Sequence, residues 1–224
     1  MSAANKLAGE MKYVDDELDR TAITDLSIND STWAGCELDP ATNNVLPIPT
    51  QGTTYADRDG RKIFIKNIKI RGVIRFGEIA NDTKIPPFVR LLVVKDTRTN
   101  GVQLSAEDVL GVGKGPGGTT ALTADAAVMA FSNPNGWGRY NILVDKIIRA
   151  PFRPTTHDAT TTSIVQAAQV DVPFKLMVKA NTYVNFDASS GGIGDVIDNS
   201  FHLIGGASNS EASISYVCRT AFVG

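Results

Sequence analysis

The stretch "RKIFIKNIKIRGVIRF", Arg61–Phe76, alternates apolar and cationic residues almost without interruption. A period of two is what a β-strand with one face on a core requires, because successive side chains point to opposite faces. The Ile and Val content fits the same choice. The phase of the alternation changes partway along. The even positions Phe64, Ile68, Ile70, Ile74 and Phe76 are apolar, while Lys69, Arg71 and Arg75 are odd and share the opposite face. Upstream of Asn67 the polarity is reversed, with Lys62 and Lys66 even and Ile63 and Ile65 odd. A bulge or bend near Asn67 would bring all five cations onto one face.

The same signal recurs along the chain. Strand-like runs follow at Phe88–Asp96, entered through Pro86-Pro87, and at Arg139–Phe152, Val170–Ala180, Thr182–Phe186, Ser200–Gly206 and Ala212–Val223. Breaks rich in Gly, Pro, Asn and Asp separate them. Helical signals are short: "SAEDVLG", Ser105–Gly111, with a capping Ser, early acids and a closing Gly, and "TADAAVMAF", Thr123–Phe131. Strands without regular helix alternation predict an all-β fold, a single antiparallel jelly-roll sandwich with short helices in its long loops. We divide the chain into an acidic and polar N-terminal extension, residues 1–57, and a jelly-roll domain, residues 58–224.

Composition narrows the function classes. No run of eighteen apolar residues is present, so no membrane-spanning helix is expected, and the first twenty residues lack the pattern of a secretory signal. Cys36 and Cys218 stand far apart, which fits reduced thiols in an intracellular protein; a single bridge between them is the alternative. The net charge of −2 conceals an uneven distribution. Residues 1–39 carry nine acids against three bases, and residues 58–75 carry seven bases against Asp59 alone. The overall balance argues against a general nucleic-acid binder, and the local cluster argues for a restricted anionic contact.

Several strings resemble a known family when taken in order. "GTTYADRDGRKIFIKNIKIRG" is followed by "PPFVRLLVVKDTRTNG", with "MKYVDDELD" before them and "GRYNILVDKIIRAP" and "ASISYVCRTAFV" after. The ordered set resembles the capsid proteins of circular Rep-encoding single-stranded DNA (CRESS-DNA) viruses. That resemblance implies a non-enzymatic coat protein with a jelly-roll fold, located in the virion and, during assembly, in the host nucleus or cytoplasm. Its main partner would be itself, about sixty copies closing into a T=1 shell around circular ssDNA, with no cofactor and no membrane. The long connections 97–138 and 150–169 would make inter-subunit and outer-surface contacts. One departure stands out: the family usually begins with an Arg/Lys-rich arm, whereas this sequence begins "MSAANKLAGE" and is acidic. Either the arm lies outside this sequence or the lineage manages without one.

Lys62, Lys66, Lys69, Arg71 and Arg75 are the candidate nucleic-acid contacts, since phosphate binding needs several cations presented together. An ordinary solvated strand face is the competing reading. "GVGKGPGG", Gly111–Gly118, lacks the Ser or Thr after Gly-Lys that a phosphate loop needs and reads as a surface loop. His157-Asp158 and His202 have no nucleophile motif, and the Cys and His spacing forms no metal site. Asp187, Asp195 and Asp198 could offer oxygen ligands to calcium between subunits, though turn and capping roles are the simpler reading. Trp33 and Trp137 read as packing or interface anchors. The acidic "YVDDELD" reads either as a solvated extension or as a segment that docks on a neighbour's cationic strand. The function carried forward is a self-assembling viral coat subunit. The alternative is a monomeric or trimeric jelly-roll module that binds carbohydrate or another ligand.

Overall fold

The structure, a computed structural model, describes residues 10–24, 35–77, 87–110, 128–151, 169–208 and 211–224. Among the described residues, eight strands form two antiparallel sheets: β1 (Lys12–Ala22), β2 (Lys62–Phe76), β3 (Phe88–Asp96), β4 (Tyr140–Arg149), β5 (Val170–Phe186), β6 (Val196–Asp198), β7 (Ser200–Ala207) and β8 (Ala212–Val223). One sheet has the order β1-β8-β2-β5-β6 and the other β4-β3-β7. Strand β2 pairs with β8, and β3 pairs with β7. The consecutive pairs β2–β3 and β7–β8 therefore run together as two ribbons wrapped across both sheets. This is the antiparallel jelly-roll sandwich expected from the sequence.

The core lies between the sheets. Ile63, Ile65, Ile68, Ile70, Ile74 and Phe76 of β2 point into it, joined by Phe174, Leu176 and Val178 of β5 and by Leu91 and Val93 of β3. Three of the expected strands meet the observed ones closely. Phe88–Asp96 and Ala212–Val223 coincide with β3 and β8, and β2 is the expected Arg61–Phe76 less its first residue. The two runs expected at Val170–Ala180 and Thr182–Phe186 are instead one seventeen-residue strand. Asn181, which reads as a break, is absorbed by a positive φ of 43°, a conformation that Asn tolerates better than most residues.

Two elements escaped the pattern. The acidic stretch forms β1, paired antiparallel with β8 of the same chain. Its alternation is masked because charge lies on both faces: Val14 and Leu18 turn inward with Asp16, while Asp15, Glu17 and Asp19 are exposed. The short β6 has too few residues to show a period. Of the two expected helices, the first is a single turn, α1 (Ala106–Val109), whose N-cap Ser105 accepts a hydrogen bond from the Glu107 backbone N–H. Most of Thr123–Phe131 lies outside the described residues.

Gly72 marks a close approach of backbones within the large sheet. A β-carbon there would stand 2.3 Å from the Ser215 carbonyl oxygen and 2.6 Å from Cβ of Tyr216. A glycine in mid-strand, weak on propensity alone, is required by this close approach.

Candidate nucleic-acid interface

Strand β2 carries the anticipated irregularity. Its register shifts between Ile65 and Asn67 against both neighbours: against β8 the extra residue is Lys66 of β2, whereas against β5 it lies on β5, at Ala180–Asn181. Ile65 and Ile68 are both buried, and the two residues between them are half-buried. The bulge thus resets the phase, and Lys62, Lys66, Lys69, Arg71 and Arg75 all lie on the face away from the core. Phe64 departs from its expected core position. Lying before the bulge, it shares the outer face with Lys62 and packs edge-on against Tyr183 at 4.9 Å. Lys62 Nζ stands 4.3 Å from the centre of that tyrosine ring.

The neighbouring strands enlarge the patch. In register, Lys69 faces Arg219 of β8 on one side, and Arg71 faces Lys175 of β5 on the other. Asn67 faces Lys179. From the other sheet, Lys146 Nζ donates to the Lys175 carbonyl oxygen at 3.4 Å. Lys175, Lys179 and Arg219 were missed by sequence reading. They stand in later runs whose charge looked ordinary, and only the strand pairing places them beside β2.

The electrostatics of this face are unusual for a sheet. Like charges directly opposite each other destabilise a strand pair, yet Lys69–Arg219 and Arg71–Lys175 are both of that kind. Among the described residues, Lys62, Lys66, Lys69, Arg71, Lys175 and Lys179 form no salt bridge. Arg75 differs from the other four candidates: its Nε lies 3.7 Å from Asp171 and its Nη1 donates to Ser215 Oγ. Arg219 is held by Asp15 through two hydrogen bonds of 2.7 and 2.5 Å. That bond pulls the Asp15 carboxyl below its ordinary value and pushes the Arg219 guanidinium above its own.

Other charged residues have structural positions. Arg58, part of the basic run by sequence, is fully buried. It donates to the Pro49, Gly60 and Ala188 carbonyls and lies 4.1 Å over the Phe186 ring. Arg90 binds Asp145 through two bonds and also donates to the Val128 and Ala130 carbonyls. Arg139 grips the buried Asp96 in the same two-bond way.

His202 is brought into an arrangement that no motif announced. Its Nδ1 is 2.6 Å from Asp39 Oδ2 and its Nε2 is 2.8 Å from Ser200 Oγ. The order is that of a nucleophile–base–acid triad. Ser200 and His202 are both 0% exposed, and Asp39 also accepts from the Leu203 backbone N–H. Together with the Leu38-to-Leu203 and Leu46-to-Phe201 backbone bonds, the network fastens the segment around residues 38–46 onto β7.

The candidate calcium ligands separate. Asp198 is engaged by Asn185 through its backbone N–H and its side-chain amide, while Asp187 and Asp195 are linked through a backbone bond. Among the described residues no cluster of three metal-ligating side chains occurs. Cys36 and Cys218 are free and buried, and burial pushes the Cys36 thiol up to about 12. Trp137 is 72% exposed, with Nε1 reaching Ser132 Oγ at 3.4 Å. Lys114, His157, Asp158 and Trp33 lie outside the described residues.

Fold and face together define a jelly-roll protein whose five-stranded sheet carries, among the described residues, a cluster of cations mostly without carboxylate partners. No family model and no curated protein matches the chain. Among solved structures, it is similar to the 60-mer BFDV capsid protein, known from a crystal structure. The identity is 12%, over 98% of this chain and 84% of that one, with a TM-score of 0.22. At that score the likeness carries no argument about this chain.

Proposed function

We propose that this chain is a viral coat subunit whose copies assemble into a small T=1 icosahedral shell around circular ssDNA. In this reading about sixty subunits close the shell by symmetric use of a few surface patches. Lys62, Lys66, Lys69, Arg71 and Arg75 line its inner wall, joined by Lys175 and Lys179, and touch phosphates without reading sequence. The role is structural, in the virion, with assembly in the host nucleus or cytoplasm.

The observation that carries the reading is the set of cations facing one another across β8, β2 and β5 with no carboxylate between most of them. A solvated structural face would gain by alternating charge sign, as cross-strand pairs do. A surface awaiting a polyanion gains from the opposite arrangement, because each phosphate contact releases counterions and the contributions accumulate. The ordered series of capsid-like strings supports the same reading. Phe131 and Trp137, 90% and 72% exposed, offer apolar surface in a long loop for contact between copies. The burial of Ser200 and His202 supports a non-enzymatic role, because among the described residues the Ser200 hydroxyl is closed off from solvent.

Size-exclusion chromatography with negative-stain microscopy tests the assembly. Uniform hollow spheres are expected. A small species under every salt and pH condition would contradict the proposal and favour the ligand-binding module instead. Reversal of Lys69 and Arg71 to Glu tests the wall. Shells with reduced nuclease-protected nucleic acid are expected, and unchanged content would remove the phosphate role.

A further inference from the structure

The cationic face stops abruptly at its border with β1. Three exposed carboxylates, Asp15, Glu17 and Asp19, run along that border on the same side of the sheet. They do not sit equivalently. Glu17 faces Val217, an apolar neighbour, and Asp19 accepts from the Ser215 hydroxyl. Asp15 alone is seated on a cation of the patch, in the two-pronged geometry with which arginine also takes a phosphate. Arg219 in turn faces Lys69, the middle of the β2 series. Its guanidinium also lies 5.7 Å from the centre of the Tyr13 ring.

We infer that Arg219 is a latent phosphate contact and that Asp15 is its internal anion, displaced when a single-stranded polyanion occupies the face. This rests on the phosphate-binding reading of β2 and extends it by one strand. The exchange is feasible because the pair is weak: the two side chains are 56% and 44% exposed, so water and salt compete with it. A polyanion held by Lys66, Lys69, Arg71 and Lys175 brings its next phosphate to Arg219 at high local concentration. The cost of displacing Asp15 weakens the hold of the face on the strand, and the remaining acids of β1 turn the strand back toward β5.

The test is equilibrium binding of a fluorescein-labelled twenty-nucleotide oligothymidylate, followed by anisotropy across a salt series. Wild type is compared with Asp15→Asn, Glu17→Gln, Arg219→Gln and the Asp15→Asn/Arg219→Gln pair. Asp15→Asn keeps the shape of the side chain and is expected to tighten binding about fivefold at low salt. The slope of log K against log salt should stay close to that of wild type, because Arg219 meets the strand in both. Arg219→Gln should instead flatten it by roughly 0.7, the value of one lost contact on a single strand. Glu17→Gln removes an equal charge away from Arg219 and should tighten binding by far less. Adding Arg219→Gln should abolish the gain. Equal effects of Asp15→Asn and Glu17→Gln, or a gain that survives loss of Arg219, would overturn the inference. Failure of the underlying reading looks different: Lys69→Glu/Arg71→Glu would then leave oligonucleotide affinity unchanged.

Discussion

Two groups of charged side chains in this molecule are built from the same residue types and arranged in opposite ways. Around the three-stranded sheet, Arg90, Arg139 and His202 each have their counterpart. Arg90 has Asp145 and two carbonyls, Arg139 has Asp96, and His202 has Asp39 and Ser200. On the outer face of the five-stranded sheet, lysines and arginines confront one another, and Asp15 and Asp171 reach only its edges. Burial explains the first arrangement, since a charge removed from water must be paired and hydrogen-bonded. The second has no such cause, because its members are solvated and gain nothing for the fold by standing together. Charges that serve the fold and charges that serve a ligand are thus distinguished by their partners and not by their type.

If that distinction holds, substitution should act on stability in one group and on binding in the other. The largest effect is expected at Arg90. Replacing it with Ala leaves two carbonyls and Asp145 without their donor and should cost about 3 kcal/mol or more. Urea denaturation measures this, and a cost below about 1 kcal/mol would blur the comparison. Gly72→Ala comes next. It forces a β-carbon against the Ser215 carbonyl inside the cationic strand and should cost about 2 kcal/mol through overpacking. A neutral result would mean that β2 and β8 can separate locally without loss.

The weaker effects lie on the outer face. The Asp15 carboxyl, held by Arg219 below its ordinary value of 3.8, contributes stability that is present above that pH. This contribution is lost as pH falls through the depressed value. Amide exchange along β1 should therefore stay protected down to pH 3.8, and loss of protection with a higher midpoint would contradict the pairing. The smallest effect is expected from Lys69→Ala, within about 0.5 kcal/mol of wild type or slightly stabilising, because it relieves a like-charge pair. A clear destabilisation would place Lys69 with the structural charges.

Much of the sandwich could be read from the chain because period-two alternation survives wherever one face is buried and the other wet. Strand β2 is the strongest case. The phase change at Asn67 located the bulge, and the bulge in turn located the common face of its five cations. Strand β1 was misread for the reverse reason, with Asp16 and Lys12 on its inward side erasing the contrast. Phe64 was assigned to the core because its parity was counted from the wrong side of the bulge. The additions to the site were beyond any local pattern. Lys175, Lys179 and Arg219 join it through pairs whose members stand more than one hundred positions apart, and sequence spacing carries no record of register. The Asp39–His202–Ser200 network is illegible for the same reason, since Asp39 reaches β7 across the whole fold.

The most direct measurement is the salt dependence of single-stranded oligonucleotide binding by wild type and by Lys69→Gln/Arg71→Gln. If the two cations each meet a phosphate, log K for the double variant should fall with log salt less steeply by about 1.4, twice the single-strand value per contact. Stability should be unchanged. Equal slopes for the two proteins would show that these cations only face solvent.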